Sequence, residues 1–351
     1  MGDVARALDE EDSMKKTIIA AGAVAMALSV AGCNLGPVTT GSAGSTTIKV
    51  GNIWAASHPM TQAVNEVFKK QIEEKTNGAI MVEAHQDDDR GNEADLWSSV
   101  REGTIEVVVI GSVMNQEYPT MLISDWPWLY RDAEHAKMVW TGEISEEVSA
   151  SFNEKFPAVE MLAWGPNSAR TFTSNRQLSS PSDFAGQKFR MPSNPVHVGL
   201  AENLGASSQV IPLGELFSAL ETGIVDGQDN GMVTVRSEGL YEVQKYVYET
   251  NHIIATMEII ANSEWMEKLT PEQQTIVRDA AKETSVVAWD KYIASIDEDR
   301  AFLQSEGLTV TAPSEQDRSK LVEMTQPVTN KLLADNPDWA PQLVEKITNV
   351  K

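Results

Sequence analysis

Arg170 and Arg190 lie twenty residues apart, each within a short run of residues that predicts a strand. A strand holds the planar guanidinium group in a fixed direction, and that group donates two parallel hydrogen bonds to a carboxylate. The segment closes with residues 223–230, Gly-Ile-Val-Asp-Gly-Gln-Asp-Asn, which predict a polar turn. A single arginine of this kind usually forms a surface salt bridge, but the pair followed by this turn predicts a binding site for a small organic acid.

Signatures of common catalytic sites are absent from the sequence, including G-x-S-x-G, H-E-x-x-H, G-x-G-x-x-G and the P-loop. The five histidines are scattered, and no two of them are four residues apart. The acidic loop at residues 87–91 lacks the terminal glutamate of a calcium loop, which favours a solvated turn. We therefore expect no metal ion, no cofactor and no catalytic residue.

Other side chains are candidates for the same site. Asn52, His58 and Glu93 indicate recognition of hydroxyl groups, which favours a sugar acid over a plain dicarboxylate. Trp164 precedes the segment that carries Arg170 and is a candidate wall of a sugar-sized pocket, with packing in the core as its alternative.

The elements that position these residues alternate between strands and helices. Such alternation predicts an α/β fold with mostly parallel sheets. The strand candidates are residues 47–53, 80–83, 105–110, 159–164, 171–173, 188–191 and 209–211. The helix candidates are residues 59–76, 93–102, 133–140, 196–204 and 213–222.

A much longer helical pattern begins at Thr270-Pro271, a capping residue followed by a proline suited to the first turn, and ends before Gly307. One helix over this segment spans roughly 54 Å and is long enough to brace two domains. Two consecutive helices with a kink near Ser285 remain the alternative.

The overall charge excludes two classes of partner. The formal net charge is -23, and removal of residues 1–32, which carry -2, leaves -21. Such a surface repels nucleic acid and anionic lipid headgroups. A bound anion is still compatible with it, because salt screens charges that lie more than about 8 Å away.

The N-terminal region predicts a lipoprotein leader. Residues 14–16 are a short basic segment, residues 18–28 are apolar, and residues 30–33 (Val-Ala-Gly-Cys) fit the cleavage site of bacterial lipoproteins. The apolar run is too short to span a membrane. We expect residues 1–33 to be the signal peptide with its lipobox, with Met14 as the candidate true start, and Cys33 to be lipidated. A buried helix with an incidental cysteine is the alternative.

Residues 34–46 predict a flexible tether, and the globular part begins near Thr47. Within it, residues 183–190 (Asp-Phe-Ala-Gly-Gln-Lys-Phe-Arg), 204–206 (Leu-Gly-Ala) and 215–230, which end in Asp-Gly-Gln-Asp-Asn, carry a recognisable pattern. This pattern closely resembles the DctP-like solute-binding proteins of tripartite ATP-independent periplasmic (TRAP) transporters. The resemblance extends from about Ile48 to the C-terminus.

The resemblance implies a periplasmic-binding-protein-like clamp of two α/β lobes with a long helix crossing both. One lobe would hold residues 47–167 and 256–295, and the other residues 168–255 and 296–351. The ligands of the family are mostly carboxylates, and its membrane partners are the TRAP permease subunits. By resemblance, Arg190 is the main carboxylate-binding residue, Arg170 is a second one, and Asn230 contacts the ligand.

Departures from the family pattern bear on the ligand. Leu213 stands where some members place a stacking phenylalanine. Sialic-acid binders carry a glutamate after the third strand, whereas residues 109–112 here are Val-Ile-Gly-Ser, which argues against sialic acid. The segment before the second helix, residues 89–93, also differs from the family pattern.

The leading hypothesis is a lipid-tethered extracytoplasmic receptor that binds a small carboxylate, with a sugar acid preferred, and delivers it to a permease. Receptors for a C4-dicarboxylate or an oxo acid are close alternatives. An extracytoplasmic enzyme would use both arginines to hold its substrate and His58 or Glu93 as a base. A structural lipoprotein would leave the two arginines without a purpose.

Overall fold

The computed structural model describes residues 45–86 and 89–351. Cys33, the leader before it, residues 34–44 of the tether, and Asp87 and Asp88 of the acidic loop lie outside the described residues.

A single mixed sheet of nine strands forms the centre of the described chain. The strands are β1 (Thr46–Asn52), β2 (Ile80–Ala84), β3 (Val107–Ile110), β4 (Val159–Ser174), β5 (Lys188–Met191), β6 (Ser207–Val210), β7 (Gly227–Gln228), β8 (Tyr246–Asn262) and β9 (Thr309–Thr311). Their order across the sheet is β2-β1-β3-β8-β4-β7-β5-β6, and β9 pairs with β8 outside this series.

Twelve α-helices occur among the described residues. They are α1 (Pro59–Ala63), α2 (Lys70–Lys75), α3 (Glu93–Glu102), α4 (Ala133–Trp140), α5 (Glu143–Lys155), α6 (Pro195–Asn203), α7 (Leu216–Glu221), α8 (Met232–Ser237), α9 (Ser263–Glu267), α10 (Pro271–Ser305), α11 (Glu315–Asp335) and α12 (Ala340–Thr348). A π-helical segment, Val64–Lys69, joins α1 to α2. The three segments together form the continuous helix that was predicted at residues 59–76. None of these helices is both long and apolar enough to cross a lipid bilayer.

The sheet has a parallel group at each end and an antiparallel pair between them. β1 pairs in parallel with β2 and β3, and β5 pairs in parallel with β6 and β7. The long strands β4 and β8 pair antiparallel along most of their length and connect the two groups. The predicted α/β clamp is confirmed. The two strands predicted at 159–164 and 171–173 are one strand, β4, and the long strand β8 was not predicted from the sequence.

Irregular pairing lets β4 include a proline. Its register against β8 shifts between Met161 and Ala163, between Pro166 and Ser168, and between Arg170 and Phe172. A proline cannot donate a ladder hydrogen bond, so it is accommodated in an interior strand only at such a bulge. Each shift also changes the face of the sheet to which the following side chains point.

The long helical pattern forms one continuous helix, α10, rather than two. The Thr270 hydroxyl accepts a hydrogen bond from the Gln273 N–H, and the Gln273 side chain accepts one from the Thr270 N–H. These two reciprocal hydrogen bonds form a capping box at the N-terminus of α10. Trp289 of α10 packs in the core of the β1–β3 end of the sheet, and Leu303 packs in a second core under α7. The helix therefore crosses both parts of the molecule, as predicted.

The C-terminal helices α11 and α12 also pack against both parts of the molecule that α10 crosses. α11 packs against α6, whereas α12 packs against the segment Pro119–Asp125, and Ile347 of α12 is buried in the larger core. The Ile347 carbonyl lies 3.1 Å from His135 Nε2 of α4. The residue boundaries of the two lobes remain a prediction, and α12 connects residues that this prediction assigns to different lobes.

Candidate functional site

A cleft lies where several parallel strands end, and the centre of a water-sized sphere can occupy about 50 Å³ of it. Its walls include residues 53–54 after β1, 111–113 after β3, 192–194 after β5 and Asn230 after β7. In sheets of this kind, ligands bind in the crevice outside the carboxyl ends of the strands.

Arg190 projects into this cleft from β5, between β6 and β7. Its side chain is 3% exposed, and its Nε donates a hydrogen bond of 2.7 Å to the Ile211 carbonyl. No partner for its two terminal nitrogens is found within residues 45–86 and 89–351. Burial lowers the pKa of Arg190 to about 10, and the guanidinium group therefore remains charged at neutral pH. The guanidinium group is held in place by the hydrogen bond from its Nε, and its two terminal nitrogens are left to donate hydrogen bonds in the cleft.

Arg170 of β4 also borders the cleft, but its fork already holds a carboxylate. Its Nε and one terminal nitrogen lie 3.3 and 2.8 Å from the two carboxylate oxygens of Asp229. Both side chains are buried. Burial alone would raise the pKa of Asp229, but Arg170 and His197 outweigh it and hold the pKa well below its usual value.

His197 of α6 links two buried carboxylates. Its Nδ1 lies 2.5 Å from Asp229 and its Nε2 lies 3.4 Å from Asp125. Burial alone would lower the pKa of His197, but Asp229 and Asp125 raise it above its ordinary value. Asp125 also accepts hydrogen bonds from the Ser112 hydroxyl and, at 2.8 Å, from Asn194 Nδ2. For Asp125 the cost of burial is exceeded by the hydrogen bond and charge of His197, so its pKa is lowered.

Two glycines let the turn after β7 approach β4 closely. A side chain on Gly227 would place its Cβ 2.1 Å from the Thr173 carbonyl oxygen, and one on Gly231 would place it 2.4 Å from the Ser168 side chain. Between them, Gln228 Nε2 bonds the Thr173 hydroxyl at 2.9 Å. Only glycine allows this approach, which brings Asp229 to Arg170 and Asn230 to the cleft.

Asn230 has an unused donor in the cleft. The residue is 4% exposed, and its backbone N–H donates to Gln228 Oε1 at 2.5 Å. Its buried side-chain Nδ2 has no hydrogen-bond partner within the described chain. A buried amide nitrogen without a partner costs free energy unless a ligand or water accepts its hydrogen bond.

Glu93 and Leu213 also line the cleft. Glu93 is the first residue of α3, and its carboxylate accepts a 2.7 Å hydrogen bond from the Gly111 N–H. Burial raises the pKa of Glu93, and this effect is only partly offset by Gly111 and by the two arginines. Trp54, a tryptophan of the loop after β1, lies on the same wall.

Three predicted site residues do not line the cleft. Trp164 is stacked on Trp140 at 4.4 Å between ring centroids, and its indole nitrogen bonds the Ser149 hydroxyl in the core. Asn52 is buried, donates to the Thr61 hydroxyl at 2.6 Å and accepts from the Trp54 N–H, so it shapes the loop that carries Trp54.

His58, the third, caps the N-terminus of α1, where its Nδ1 accepts a hydrogen bond from the Met60 N–H. The ring is fully buried, and burial lowers its pKa to about 4. A neutral imidazole used as a helix cap is not positioned for contact with a ligand in the cleft.

Four polar residues of the site were not predicted from the sequence: Asp125, Asn194 and His197, which line the cleft, and Asp229, which binds Arg170. Two signals were available. Asn194 and His197 closely follow the strand that carries Arg190, where residues at the strand end are expected to face a ligand. Asp125 is a single acid within an apolar run, and a buried acid needs partners.

Comparison with known proteins gives a consistent result. The sequence pattern of the bacterial extracellular solute-binding proteins, family 7, matches residues 50–336. A TRAP periplasmic solute-binding protein from Haemophilus influenzae with bound L-gulonate is 31% identical and has a TM-score of 0.83, with 88% of this chain and 100% of that chain covered.

Two further solved TRAP periplasmic solute-binding proteins are 26% identical. One from Roseobacter denitrificans, with bound β-D-glucuronate, has a TM-score of 0.81, and the match covers 87% of this chain and 100% of that chain. One from Desulfovibrio salexigens, with bound orotic acid, has a TM-score of 0.80 and covers 86% of this chain and 97% of its own.

Proposed function

We propose that this chain, which belongs to family 7 of the bacterial extracellular solute-binding proteins, binds the carboxylate of a sugar acid at Arg190 and delivers it to a TRAP membrane permease. As a member of that family it is an extracytoplasmic solute receptor. The ligand, the residues that hold it and the anchor at the membrane are the parts that require experiments.

The observation that carries the proposal is the unpaired fork of Arg190. A carboxylate that enters the cleft loses water, and charge-assisted hydrogen bonds from a fixed donor offset that loss. Arg190 is buried, remains charged and has two terminal nitrogens without partners among the described residues. Asn230 Nδ2, which is also buried and unpartnered, supplies a further donor beside it.

A sugar acid fits the remaining walls better than a bare acid. Glu93 and Asp125 supply oxygen acceptors for ligand hydroxyl groups, and Trp54 and Leu213 supply apolar surface for the carbon skeleton. The relatives with bound L-gulonate and β-D-glucuronate support this class, whereas the relative with bound orotic acid supports only the shared carboxylate.

A thermal-shift screen of organic acids tests the proposal. A ligand at 100 times its Kd stabilises the folded protein by about 2.7 kcal/mol. We expect L-gulonate, D-glucuronate or D-galacturonate to raise the melting temperature, with calorimetry giving the Kd. A screen in which only acids without hydroxyl groups raise it would contradict the sugar-acid assignment.

Binding without turnover separates a receptor from an enzyme. Of the two predicted bases, His58 lies outside the cleft lining with a pKa of about 4, and Glu93 accepts the Gly111 N–H. We expect a bound acid to be recovered unchanged after prolonged incubation, as measured by NMR. Conversion that depends on Glu93 would favour the enzyme alternative.

Lipid attachment at Cys33 is the proposed anchor. Residues 30–33 fit a lipobox, and several acyl chains are needed for stable attachment because one chain gives only marginal binding. In cells, Cys33→Ala should move the protein from the membrane to the soluble fraction or block its processing. Equal membrane retention of wild type and variant would remove the lipoprotein assignment.

The two predicted lobes are proposed to close on the ligand by a hinge motion. β4 and β8 connect the two parallel groups of the sheet and are the natural hinge. Small-angle scattering with and without a ligand from the screen should show a smaller radius of gyration in the complex. An unchanged radius at saturating ligand would exclude this motion.

A further inference from the structure

Of the three cations in the wall of the cleft, Arg170, His197 and Arg190, two pair with carboxylates. Arg170 holds both oxygens of Asp229, and His197 lies between Asp229 and Asp125. Among the residues that the structure describes, no carboxylate oxygen lies within 4.0 Å of an Arg190 nitrogen. Arg190 is therefore the cation of this wall that has no carboxylate in contact.

The geometry of His197 fixes the charge balance of the rest. Both ring nitrogens face carboxylate oxygens, and a carboxylate that is ionised can only accept a hydrogen bond. Two carboxylates at these distances stabilise the ring as an imidazolium, in which both nitrogens carry a proton. Two cations, Arg170 and His197, thus balance two anions, Asp229 and Asp125. Arg190 has no carboxylate in contact, so its fork is open to one carboxylate from the ligand, whereas Glu93 accepts the Gly111 N–H and has no cation in contact.

The other acids near the cleft oppose a second ligand carboxylate. Glu93 lines the cleft from α3, and Asp125 lines it from the segment after β3. Thr256, also in the lining, bonds at 2.8 Å to the fully buried Glu258. Oxygen atoms of Glu93 and Asp125 accept hydrogen bonds from ligand hydroxyls, whereas a second ionised carboxylate beside them is desolvated without a cation to pair with.

We propose that the site, if it binds sugar acids as proposed above, is selective for a single carboxylate: it takes polyhydroxylated monocarboxylic acids and rejects aldaric acids and C4-dicarboxylates. The inference rests on that proposed function and narrows its ligand class. It also predicts that Arg170 is not a second clamp for a dicarboxylate, because Asp229 already occupies its fork.

L-gulonate and D-glucarate form a matched pair for the test. They share their carbon skeleton and hydroxyl configuration, and D-glucarate has a second carboxylate where L-gulonate has a hydroxymethyl group. Calorimetry on the whole folded protein at pH 7.5 should give a Kd for D-glucarate about 30-fold or more above that for L-gulonate. A D-glucarate Kd within about threefold of the L-gulonate value, or below it, would overturn the inference.

A charge-removing variant sharpens the result. Asp229→Asn keeps the size of the side chain but leaves Arg170 without a carboxylate, so the preference for L-gulonate over D-glucarate should shrink by about tenfold. Asp226→Asn is the matched control. It makes the same change in the same turn, but Asp226 pairs at 3.7 Å with Arg176, which is not an arginine of the cleft wall. An equal shift in both variants, or none in Asp229→Asn while it remains folded by circular dichroism, would count against the pairing argument.

A second pair separates failure of this inference from failure of the sugar-acid proposal. 2-Hydroxybutyrate and malate have the same number of carbons and differ by one carboxylate. Tighter binding of 2-hydroxybutyrate with no binding of L-gulonate would reject the sugar acid and keep the single-charge rule. Tighter binding of malate or D-glucarate would reject the single-charge rule, and no binding of any of the four would reject both.

Discussion

Arg170 and Arg190 are equally buried in the wall of one cleft, at 4% and 3% exposure, but their guanidinium groups have different neighbours. Arg170 is bound bidentately by Asp229, within a network that continues through His197 to Asp125. Arg190 makes one hydrogen bond, to the Ile211 carbonyl. The same residue type thus serves the fold at one position and is available to a ligand at the other.

This difference separates two costs that are often treated as one. Removal of one partner from a buried ion pair leaves the other charge uncompensated and destabilises the fold. Removal of a buried charge that has no protein partner relieves a desolvation cost and affects only what the charge binds. A change at Arg170 should therefore lower the stability of the fold more than the affinity for ligand. A change at Arg190 should lower the affinity more than the stability.

The largest effect should be on the stability of an Arg170 variant. Arg170→Ala leaves Asp229 buried with His197 as its remaining cation and should lower the free energy of unfolding by about 3–5 kcal/mol. Denaturant titration of the ligand-free protein measures this value. The double variant Arg170→Met with Asp229→Leu, which removes both charges, is the control and should recover most of the loss. A single variant as stable as wild type would break the comparison.

The next effect is on the affinity of an Arg190 variant. Arg190→Ala should raise the Kd of an acid found in the screen by 30- to several-thousand-fold, about 2–5 kcal/mol, because the ligand carboxylate is left unpaired. Its unfolding free energy should change by less than that of Arg170→Ala. Arg190→Lys is the control for charge alone, since an ammonium group cannot form the planar two-bond fork. If calorimetry gives Arg190→Lys a Kd within about threefold of wild type, the bidentate contact is wrong.

The sequence predicted the strand that carries Arg190 and much of the scaffold because these depend on local patterns. The bounds of α3 and α4 were predicted to the residue, and the Thr270-Pro271 cap located the start of α10. The partner of Arg170 could not be predicted in this way. Asp229 lies 59 residues further along the chain, and only the close approach of Gly227 and Gly231 to β4 brings it there.

Trp164 shows a second limit of local patterns. Strict alternation along a strand assigns each side chain to one face, but β4 shifts register three times against β8. Those bulges decide that Trp164 stacks on Trp140 in the core rather than bordering the cleft. In the residue pattern of β4, Gly165 and Pro166 signal an irregular strand but do not say how many times its register shifts.

A smaller effect on affinity is expected at Asn230. Like the terminal nitrogens of Arg190, its Nδ2 has no protein partner among the described residues. Asn230→Ala should raise the Kd about tenfold, the value of one hydrogen bond to a charged or hydroxyl oxygen. Asn230→Asp is the matched control, because it keeps the size but replaces the donor with an anion and should bind more weakly still. Calorimetry with wild-type affinity for Asn230→Ala would place the amide outside the contact set.

The smallest predicted effect is on the pH dependence of stability. It arises from the network of Arg170, Asp229, His197 and Asp125. The pKa of His197 is raised in the folded protein because Asp229 and Asp125 outweigh its burial beside Arg170. A histidine with a raised folded pKa binds its proton more tightly when folded, so its stabilisation is complete below the unfolded value near 6.5 and is lost as pH rises through the folded value. The lowered pKa values of the two aspartates act only in acid, where their stabilisation is lost as pH falls.

Comparison of wild type with His197→Gln isolates this contribution. Between pH 6.5 and 9, the melting temperature of wild type should fall by more than that of the variant, with a difference on the order of 2 °C. Glu258, whose pKa burial raises well above its usual value, also loses stabilisation as pH rises, but it does so in both proteins and cancels in the comparison. Arg190→Ala, which leaves the network intact, should keep the wild-type slope. Parallel curves for wild type and His197→Gln would mean that His197 is neutral, and the pairing of charges that leaves Arg190 free would then have to be revised.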